Sequence, residues 1–393
     1  MDAGQVETLM SSSALALLDE LGPLDSTDAA TNAVARLRKA GHPAEVVSLV
    51  VTQARLRHRA LAKFGEAALR MLFTEHGLQQ ATRGDVAALH ASRYRGAGLA
   101  AVADLGCGIG ADSLAFATAG LAVMAVDRDE ATARIAAFNL RDFPSSSALA
   151  GSAEDADLSG ADGVWLDPAR RDGARRLADP SDWSPSLDFA FGLSRPAGVK
   201  LGPGIDRDLI PEGWEAQWVS TDGETVELAV WSRELAREGV TRAALILRGG
   251  AVHELTAPHD APDVEPGPLG EYLLEPDGAV IRARLIGDLA RSIDARTIDP
   301  TIAYLTTDAP VSTPFAATFR VREVLPLDAK AIKRAVHERE IGVLEIKKRG
   351  VDIDPAEFRR RLAPKGTGSA ALILTRISGA RRAILAERTP SAR

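Results

Sequence analysis

The segment "VADLGCGIGADSLAFA", residues 102–117, constrains the fold more than any other part of the chain. Its apolar start predicts a strand and its end predicts a helix. Gly106, Gly108 and Gly110 fall in the turn between them, where glycine permits positive φ and lets a ligand approach the backbone. The next predicted strand, "LAVMAVD", ends at Asp127, 17 residues past Gly110. An acid about 20 residues beyond such a turn binds ribose hydroxyls, so the spacing predicts a nucleoside site at the carboxyl edge of a parallel sheet.

The charges around the glycine turn distinguish two kinds of nucleoside cofactor. A dinucleotide site uses G-x-G-x-x-G, with pyrophosphate at the helix N-terminus. Here the glycines run G-x-G-x-G, and Asp104 and Asp112 flank them. A carboxylate before the turn repels phosphate but pairs with a cationic amino group. The residues therefore favour S-adenosylmethionine, which carries an ammonium and a sulfonium.

The rest of the chain predicts a succession of regions. Apolar residues recur every three or four positions in "PAEVVSLVVTQARLRHRALAKFGEAALRMLF", which predicts helices. The apolar runs "LAAVADL", "LAVMAVD", "GVWLD" and "GVKLG" are typical of buried parallel strands, and "AQWVS" and "VELAVW" flank the turn "TDGE" of a predicted hairpin. "APHDAPDVEPGPLGEYLLEPDG" predicts a linker. We expect four regions: helices in 1–95, an α/β sheet domain in 96–255, a linker with a small α/β segment in 256–318, and a basic domain in 319–393.

Composition and charge limit the classes of protein. No apolar run reaches the roughly 20 residues that span a bilayer, and the acidic N-terminus does not resemble a signal peptide. The one cysteine, Cys107, excludes an internal disulfide, so we expect a cytoplasmic protein without membrane partners. Residues 319–393 hold 18 Lys and Arg against 9 Asp and Glu, a local net charge of +9 in a chain of net charge -7. A basic end on an acidic body indicates a polyanionic partner or, alternatively, a solvated basic surface.

The segments "VADLGCGIGADSLAFA" and "AVDRDEATARIAAFN" resemble the first two motifs of class I S-adenosylmethionine-dependent methyltransferases. The resemblance implies a cofactor site with no metal. Its implied members are Asp104 near the methionine amino group, Gly106, Gly108 and Gly110 along the methionine end, Asp127 on the ribose hydroxyls, and Asp155 or, second, Glu154 on the adenine amino nitrogen.

The segment "WLDPARR" follows the fourth predicted strand, where these enzymes carry a substrate-side motif. Asp167 and Pro168 match the Asn or Asp, Pro, Pro, aromatic pattern of enzymes that methylate base nitrogens, but Ala169 and Arg170 replace its last two residues. The motif is nearer to the "DPPR" form of some RNA methyltransferases that act on carbon. Pyrimidine C5 enzymes need a cysteine nucleophile, however, and Cys107 lies in the cofactor turn. We expect direct transfer, with Asp167 orienting or deprotonating the acceptor.

Cations follow this motif. Arginine matches phosphate through its planar fork, so a cluster at the pocket rim indicates phosphate contacts, although pairing with nearby acids is an equal alternative. The cluster comprises Arg170, Arg171, Arg175 and Arg176, with Asp172, Asp179 and Asp182 nearby. Lys200, in "VKLGPGID" after the fifth strand, is a second candidate for an anion contact.

Several segments resemble a bacterial family of class I methyltransferases with a THUMP-like C-terminal domain. They are "FTEHGLQQATRGDVAALHASRY", "DLGCGIGADS", "LDPARR", "VKLGPGID", "EPDGAVIRA" and "LPLDAKAIKRAVHEREIGVLEIKKRGVDIDP". The resemblance implies an α/β fold: a Rossmann-like class I methyltransferase sheet, an N-terminal helical region and a C-terminal α+β THUMP-like domain. The family name implies resemblance to an RNA-binding module. Together with the basic C-terminal section, it leads us to expect structured RNA, tRNA or rRNA, as the partner.

The basic C-terminal section predicts a helix, a strand, a turn and a helix. Its candidate RNA contacts are Lys333 and Arg334, which share a helix face with Lys330, and the cluster Lys347, Lys348 and Arg349. Aromatics are sparse there, which favours recognition of backbone or shape over base stacking. Two alternatives stay open: a small-molecule methyltransferase with a structural C-terminal domain, and a non-catalytic RNA-binding protein that keeps the cofactor fold. The sequence does not indicate an oligomeric state.

Overall fold

The computed structural model of the chain describes residues 1–168, 171, 172, 175, 176 and 183–389. They form two compact units, Met1–Leu201 with Trp231–Leu235, and Gly202–Val230 with Ala236–Arg393. No helix among the described residues is long and apolar enough to cross a membrane.

The first unit begins with helices and continues with alternating strands and helices. Its helices are α1 (Ala3–Met10), α2 (Ser12–Leu21), α3 (Thr27–Lys39), α4 (Ala44–Phe64), α5 (Glu75–Gln80), α6 (Gly84–Gly96), α7 (Ala111–Thr118), α8 (Glu130–Asn139) and α9 (Leu187–Gly192). Its strands are β1 (Ala101–Leu105), β2 (Ala122–Asp127), β3 (Ser146–Ala150), β4 (Gly163–Leu166), β5 (Arg171–Asp172), β6 (Arg175–Arg176) and β7 (Ala197–Leu201).

Five of these strands build a parallel sheet in the order β7-β4-β1-β2-β3. Their apolar runs fit this role, since all four residues of β4 are buried. The predicted strand ends at Leu105 and Asp127 are confirmed. Parallel strands end at one edge, so the residues that follow β1, β2, β3 and β4 gather there.

The N-terminal helices share a hydrophobic core with α8 and the glycine turn. Val6, Leu9 and Leu18 of the first two helices belong to one buried cluster with Ile109 and Ile135. Local capping sets the helix ends in this region, because the Ser11 hydroxyl accepts a hydrogen bond from the Ala14 amide at the start of α2. The helical prediction for this region is confirmed.

The second unit contains most of the remaining elements. They are β8 (Glu215–Thr221), β9 (Glu224–Trp231), β10 (Arg242–Arg248), β11 (Ala251–Ala257), β12 (Tyr272–Pro276), α10 (Gly278–Arg282), α11 (Ile286–Ser292), β13 (Arg296–Thr297), β14 (Leu305–Thr307), β15 (Ala316–Pro326), α12 (Ala329–Glu338), β16 (Ile341–Lys348), α13 (Pro355–Leu362), β17 (Gly368–Ile377) and β18 (Ala380–Arg388). Strands β8 and β9 are neighbours joined through Asp222 and Gly223, both at positive φ, as expected for the predicted hairpin.

A seven-stranded sheet in the order β13-β14-β12-β15-β18-β17-β16 dominates this unit. Helices α12 and α13 pack on one face over Leu344 and Leu372, and a second cluster around Phe319 and Ile373 fills the other. The Asp328 carboxylate starts α12 by accepting the Ala331 amide at 2.8 Å. The predicted order of helix, strand, turn and helix is found in α12, β16 and α13.

The structure divides this half of the chain differently from the expected regions. The expected boundary between 318 and 319 falls inside β15, and β12 to β14 lie in the same sheet as β15 to β18. Tyr272–Pro276, expected to be linker, is strand β12. Proline and glycine mark the loop before it correctly, but they carry no information about which distant strands pair.

Candidate active site

A cavity of about 880 Å³ opens at the carboxyl edge of the parallel sheet in the first unit. This volume lies within the range of roughly 300–1,000 Å³ that small-molecule sites occupy. The loops after successive strands line it, and the N-terminal helical region closes it on another side. Its wall includes Gly106, Gly108, Asp112, Asp127, Gly151 to Ala153, Asp167 and Pro168, together with Thr74, His76, Gly77 and Gln80 to Thr82.

The three glycines of the turn have different surroundings. All have positive φ, at 84° for Gly106, 57° for Gly108 and 80° for Gly110. A Cβ on Gly106 would lie 2.9 Å from the Asp167 carbonyl oxygen, and one on Gly110 would lie 3.3 Å from Ala136 Cβ. A Cβ on Gly108 would meet nothing within 4 Å. Gly108 therefore leaves room for a ligand, whereas Gly106 and Gly110 permit close packing, and Gly110 does not line the cavity.

Asp127 ends β2 on the cavity wall. Its Oδ2 accepts the Gly108 amide and its Oδ1 accepts the Asp129 amide, each at 2.9 Å. Burial raises the pKa of Asp127, and these two amides partly offset that effect. Each carboxylate oxygen retains a further acceptor position, so the side chain is held in place and able to receive two hydroxyls.

Asp104 lies behind the glycine turn instead of on the wall. It is 1% exposed, and its Oδ2 accepts a hydrogen bond of 2.5 Å from the Ser113 hydroxyl. Burial, together with the nearby charge of Asp112, raises the pKa of Asp104 to about 8. Asp104 does not line the cavity, and its expected proximity to a methionine amino group, directly or through water, stays a prediction.

Asp112, in the first turn of α7, is the acid that does line the cavity. Its Oδ2 accepts the Thr82 hydroxyl at 2.6 Å, and its Oδ1 lies 2.8 Å from His90 Nδ1. Burial raises the pKa of Asp112, but the interactions with His90, the charge of Lys200 and the hydrogen bond from Thr82 together outweigh this and hold the pKa below its usual range. The His90 ring packs against Trp165 at 4.3 Å between centroids. Neither Thr82 nor His90 was predicted to have a role, although both fall in a segment that carries the family resemblance.

The segment between α4 and α6 is fastened to the glycine turn. Asn139 binds both backbone groups of Leu72 and donates to the Ile109 carbonyl at 2.8 Å. Lys63 Nζ donates to the carbonyls of Leu78, Gln79 and Ala81 at 2.8–3.0 Å, and so terminates α5. The N-terminal helical region is thus one wall of the cavity.

The residues expected at an adenine ring lie at the edge of the cavity. Glu154 and Asp155 are exposed and do not line it. Ser152 and Ala153 do, and Glu154 hydrogen-bonds the Ser152 hydroxyl. Glu154 therefore reaches the wall through Ser152, which is the nearer candidate for the adenine contact.

Comparison with known proteins decides which cofactor the cavity serves. An uncharacterized S-adenosylmethionine-dependent methyltransferase of Mycobacterium tuberculosis, known in two strains, is 34% identical over 342 residues, 82% of this chain and 90% of the relative. The chain belongs to the S-adenosylmethionine-dependent methyltransferases. A proposed methyltransferase from Porphyromonas gingivalis W83, 20% identical, shares the fold with a TM-score of 0.73 over 97% of this chain and 99% of the other. Residues 316–388 match a family described as THUMP domain-like, and residues 2–60 match a domain of unknown function (DUF8688).

The cavity of the methyltransferase fits its cofactor. The open space over Gly108 admits a ligand to the backbone, and Asp127 offers acceptors to ribose hydroxyls. Two carboxylates on the wall, the buried Asp112 and the half-buried Asp127, suit a cationic nucleoside better than a pyrophosphate. When bound, S-adenosylmethionine supplies an electrophilic methyl group on its sulfonium.

On the substrate side of the methyltransferase, Asp167 pairs with Lys200 at 2.6 Å. The Asp167 side chain is 37% exposed and that of Lys200 is 14% exposed. Lys200 therefore holds Asp167, and its contact with an anion stays a prediction. Pro168 lines the cavity beside Asp167, and Arg170 lies outside the described residues.

The C-terminal cations separate into two groups. Lys333, Arg334 and Lys348 are exposed. Lys347 instead pairs with Glu275 at 2.6 Å, and the Arg349 guanidinium lies 5.2 Å from the centre of the Tyr304 ring. The run of three adjacent cations is therefore not one surface, because neighbours on a strand face opposite sides of the sheet.

Proposed function

We propose that this methyltransferase acts on structured RNA, tRNA or rRNA, which its basic C-terminal module presents. The observation that supports the proposal most is a surface of exposed cations on and next to α12 and α13, inside the segment that matches the THUMP domain-like family. The resemblance to THUMP domains, which are RNA-binding modules, supports the same substrate class.

This surface, the basic helical face, has little acidic compensation. It comprises the exposed residues Lys330, Lys333, Arg334, Arg359, Arg360 and Lys365. Within the part of the chain that the structure describes, its one ion pair joins Arg334 to Glu338 at 3.8 Å. Both helices pack over the same core, so these charges lie on the outward side of one layer. Such a surface attracts RNA phosphates, largely without regard to base sequence.

The cations on the opposite face of the sheet do not contribute to the proposed surface. Lys347 also approaches Glu345 at 3.3 Å, and Arg388 pairs with Glu345 at 2.9 Å. The Arg388 guanidinium lies 4.8 Å from the centre of the Phe319 ring. Contacts of this kind consume the donors that a phosphate would need, so these residues serve the fold.

In the proposed cofactor site, Asp127 binds the ribose hydroxyls and Gly108 lies under the cofactor. Asp167, at the cavity edge beside Pro168, orients the acceptor atom of the RNA or takes its proton. The ammonium of Lys200 fixes the Asp167 carboxylate, which preorganises it toward the acceptor. Positioning of acceptor and methyl group supplies most of the rate enhancement in such a direct transfer.

Filter binding of folded tRNA and rRNA over a salt series tests the role of the basic helical face. The test variant is Lys330→Gln, Lys333→Gln, Arg334→Gln. The control variant is Arg36→Gln, Arg38→Gln, Lys39→Gln, which removes equal charge from the exposed end of α3 in the other unit. Each lost phosphate contact lowers the slope of log K against log salt by about 0.7–0.9, so the test variant should lose roughly 2–3.

The control variant should keep the slope of the wild type. The test variant should lose affinity to a similar extent for different RNA sequences. Methyl transfer to RNA from cells that lack the gene, read by mass spectrometry of nucleosides, completes the test. Equal slopes for all three proteins, with methyl transfer found only to metabolite extracts, would refute the RNA substrate.

A further inference from the structure

We infer that Asp112, held by Thr82 and His90, is the carboxylate that binds the ammonium group of the methionine part of S-adenosylmethionine. The inference rests on the proposed function, with the ribose at Asp127. The methionine end of the cofactor is then bound by a residue outside the glycine turn. The N-terminal helical region, which holds that residue, contributes to cofactor recognition.

The positions of the two carboxylates on the cavity wall match the two ends of the cofactor. Asp127 accepts a hydrogen bond from the amide of Gly108, in the middle of the turn. Asp112 follows Gly110 in the first turn of α7, beyond the end of the glycine turn. In the cofactor, the ribose and the amino-acid chain extend on either side of the sulfur. A cofactor with its ribose on Asp127 and lying over Gly108 therefore directs its methionine part toward Asp112.

The Asp112 carboxylate has acceptor positions left for a cation. A carboxylate offers about four acceptor positions, and the hydrogen bonds of Asp112 with Thr82 and His90 use one on each oxygen. A carboxylate can only accept, so His90 Nδ1 carries the proton of their hydrogen bond. The Asp112 side chain is 8% exposed, and attraction to an ammonium is strong at such depth because water screens it little.

The two acids beside the turn differ in charge as this assignment requires. The pKa of Asp112 lies below its usual range, whereas burial raises that of Asp104 to about 8. At neutral pH the negative charge therefore resides mainly on Asp112. Asp104 is also shielded from the cavity behind the turn, so geometry and charge favour the same residue.

Thr82 acts as a positioning residue. It lies between α5 and α6, and Lys63 holds the preceding carbonyls from Leu78 to Ala81. The Thr82 hydroxyl fixes one oxygen of Asp112, and His90, packed on Trp165, fixes the other. Two elements of the N-terminal helical region thus orient the carboxylate.

Calorimetry with three ligands tests the inference without turnover. The ligands are S-adenosylhomocysteine, its analogue with hydrogen in place of the amino group, and 5′-methylthioadenosine, which lacks the amino-acid part. In the wild type, removal of the amino group should weaken binding about 10- to 100-fold, the range for a charge-assisted hydrogen bond. In Asp112→Asn that penalty should fall below about 3-fold, while 5′-methylthioadenosine binds as to the wild type. Thr82→Val should lower the penalty partly.

The matched variant Asp104→Asn should keep the full penalty. If Asp104→Asn abolishes the penalty and Asp112→Asn keeps it, the assignment is overturned. If Asp112→Asn does not fold, Thr82→Val decides, and an unchanged penalty there overturns it too. Asp127→Ala separates the underlying site from the inference, because it should weaken all three ligands. If Asp127→Ala binds all three ligands as tightly as the wild type, the proposed ribose site is refuted, independently of the results for the Asp112 variant.

Discussion

Alanine at Gly106 should disturb the contact between the glycine turn and the loop that carries Asp167. Gly106 has a φ of 84°, and a Cβ there would lie 2.9 Å from the Asp167 carbonyl oxygen. Gly120 provides a matched control, because its φ is also 84° and its Cβ would meet nothing within 4 Å. Both substitutions force a side chain into positive φ, at a cost of about 1–2 kcal/mol. Only Gly106→Ala must also move backbone, which adds about 1–3 kcal/mol.

Thermal unfolding followed by circular dichroism measures this difference. For a unit of this size, 1 kcal/mol shifts Tm by roughly 2–4 °C, so Gly106→Ala should melt about 2–12 °C below Gly120→Ala. It should also lower kcat, because Asp167 moves with its carbonyl, whereas Gly120→Ala should keep the kcat of the wild type. Equal Tm values for the two variants would show that the loop carrying Asp167 moves away from the new Cβ without loss of stability. The predicted effect of close packing at Gly106 would then be wrong.

The remaining predictions concern the three acids along the site. Asp127→Ala should weaken S-adenosylmethionine binding in calorimetry by about 1.5–3 kcal/mol, because hydrogen bonds to a charged group are lost, and unchanged affinity would contradict the ribose assignment. The pKa of Asp104 is raised to about 8, so the folded state keeps a proton that the unfolded chain releases above pH ~4, and stability is lost as pH rises from about 4 to 8. Asparagine cannot ionise, so Asp104→Asn should flatten the decline of the free energy of unfolding with pH, as measured by urea unfolding. At ~1.4 kcal/mol per pKa unit, the variant should be about 4 kcal/mol more stable than the wild type at pH 7. Parallel pH profiles of the two proteins would contradict this prediction. Asp167→Asn should lower kcat with near-normal cofactor affinity, and a collapse of affinity would assign Asp167 a structural role instead.

The local parts of the site were predictable from the sequence. The glycine turn, the end of β2 and Asp127 lie within one strand–helix–strand unit, where residue spacing determines position. Thr82 and His90 were not identified, because they come 30 and 22 residues before Asp112 in the chain and meet it only through tertiary packing. No spacing rule relates a helix of one region to a turn of another.

Adjacency along the chain was misleading at the C-terminal end. Lys347 and Lys348 read as one cluster, but alternation along β16 places Lys347 among Glu275 and Glu345. Helical spacing gave the better guide, since Lys333 and Arg334 of α12 are both exposed. The expected boundary at 318 lies close to the start of the family match at residue 316, but strand pairing joins β12 to β14 to the same sheet, which composition does not indicate.

The shared core of the N-terminal helices and the sheet determines how small a working enzyme can be. A fragment that begins at residue 96 would keep every sequence motif of the cofactor turn. It would nonetheless lack Thr82 and the Leu72 backbone that Asn139 binds, and it would expose Ile109 and Ile135 to water. A catalytic fragment therefore has to include the N-terminal helices, and truncations designed from the motifs alone should yield protein that aggregates.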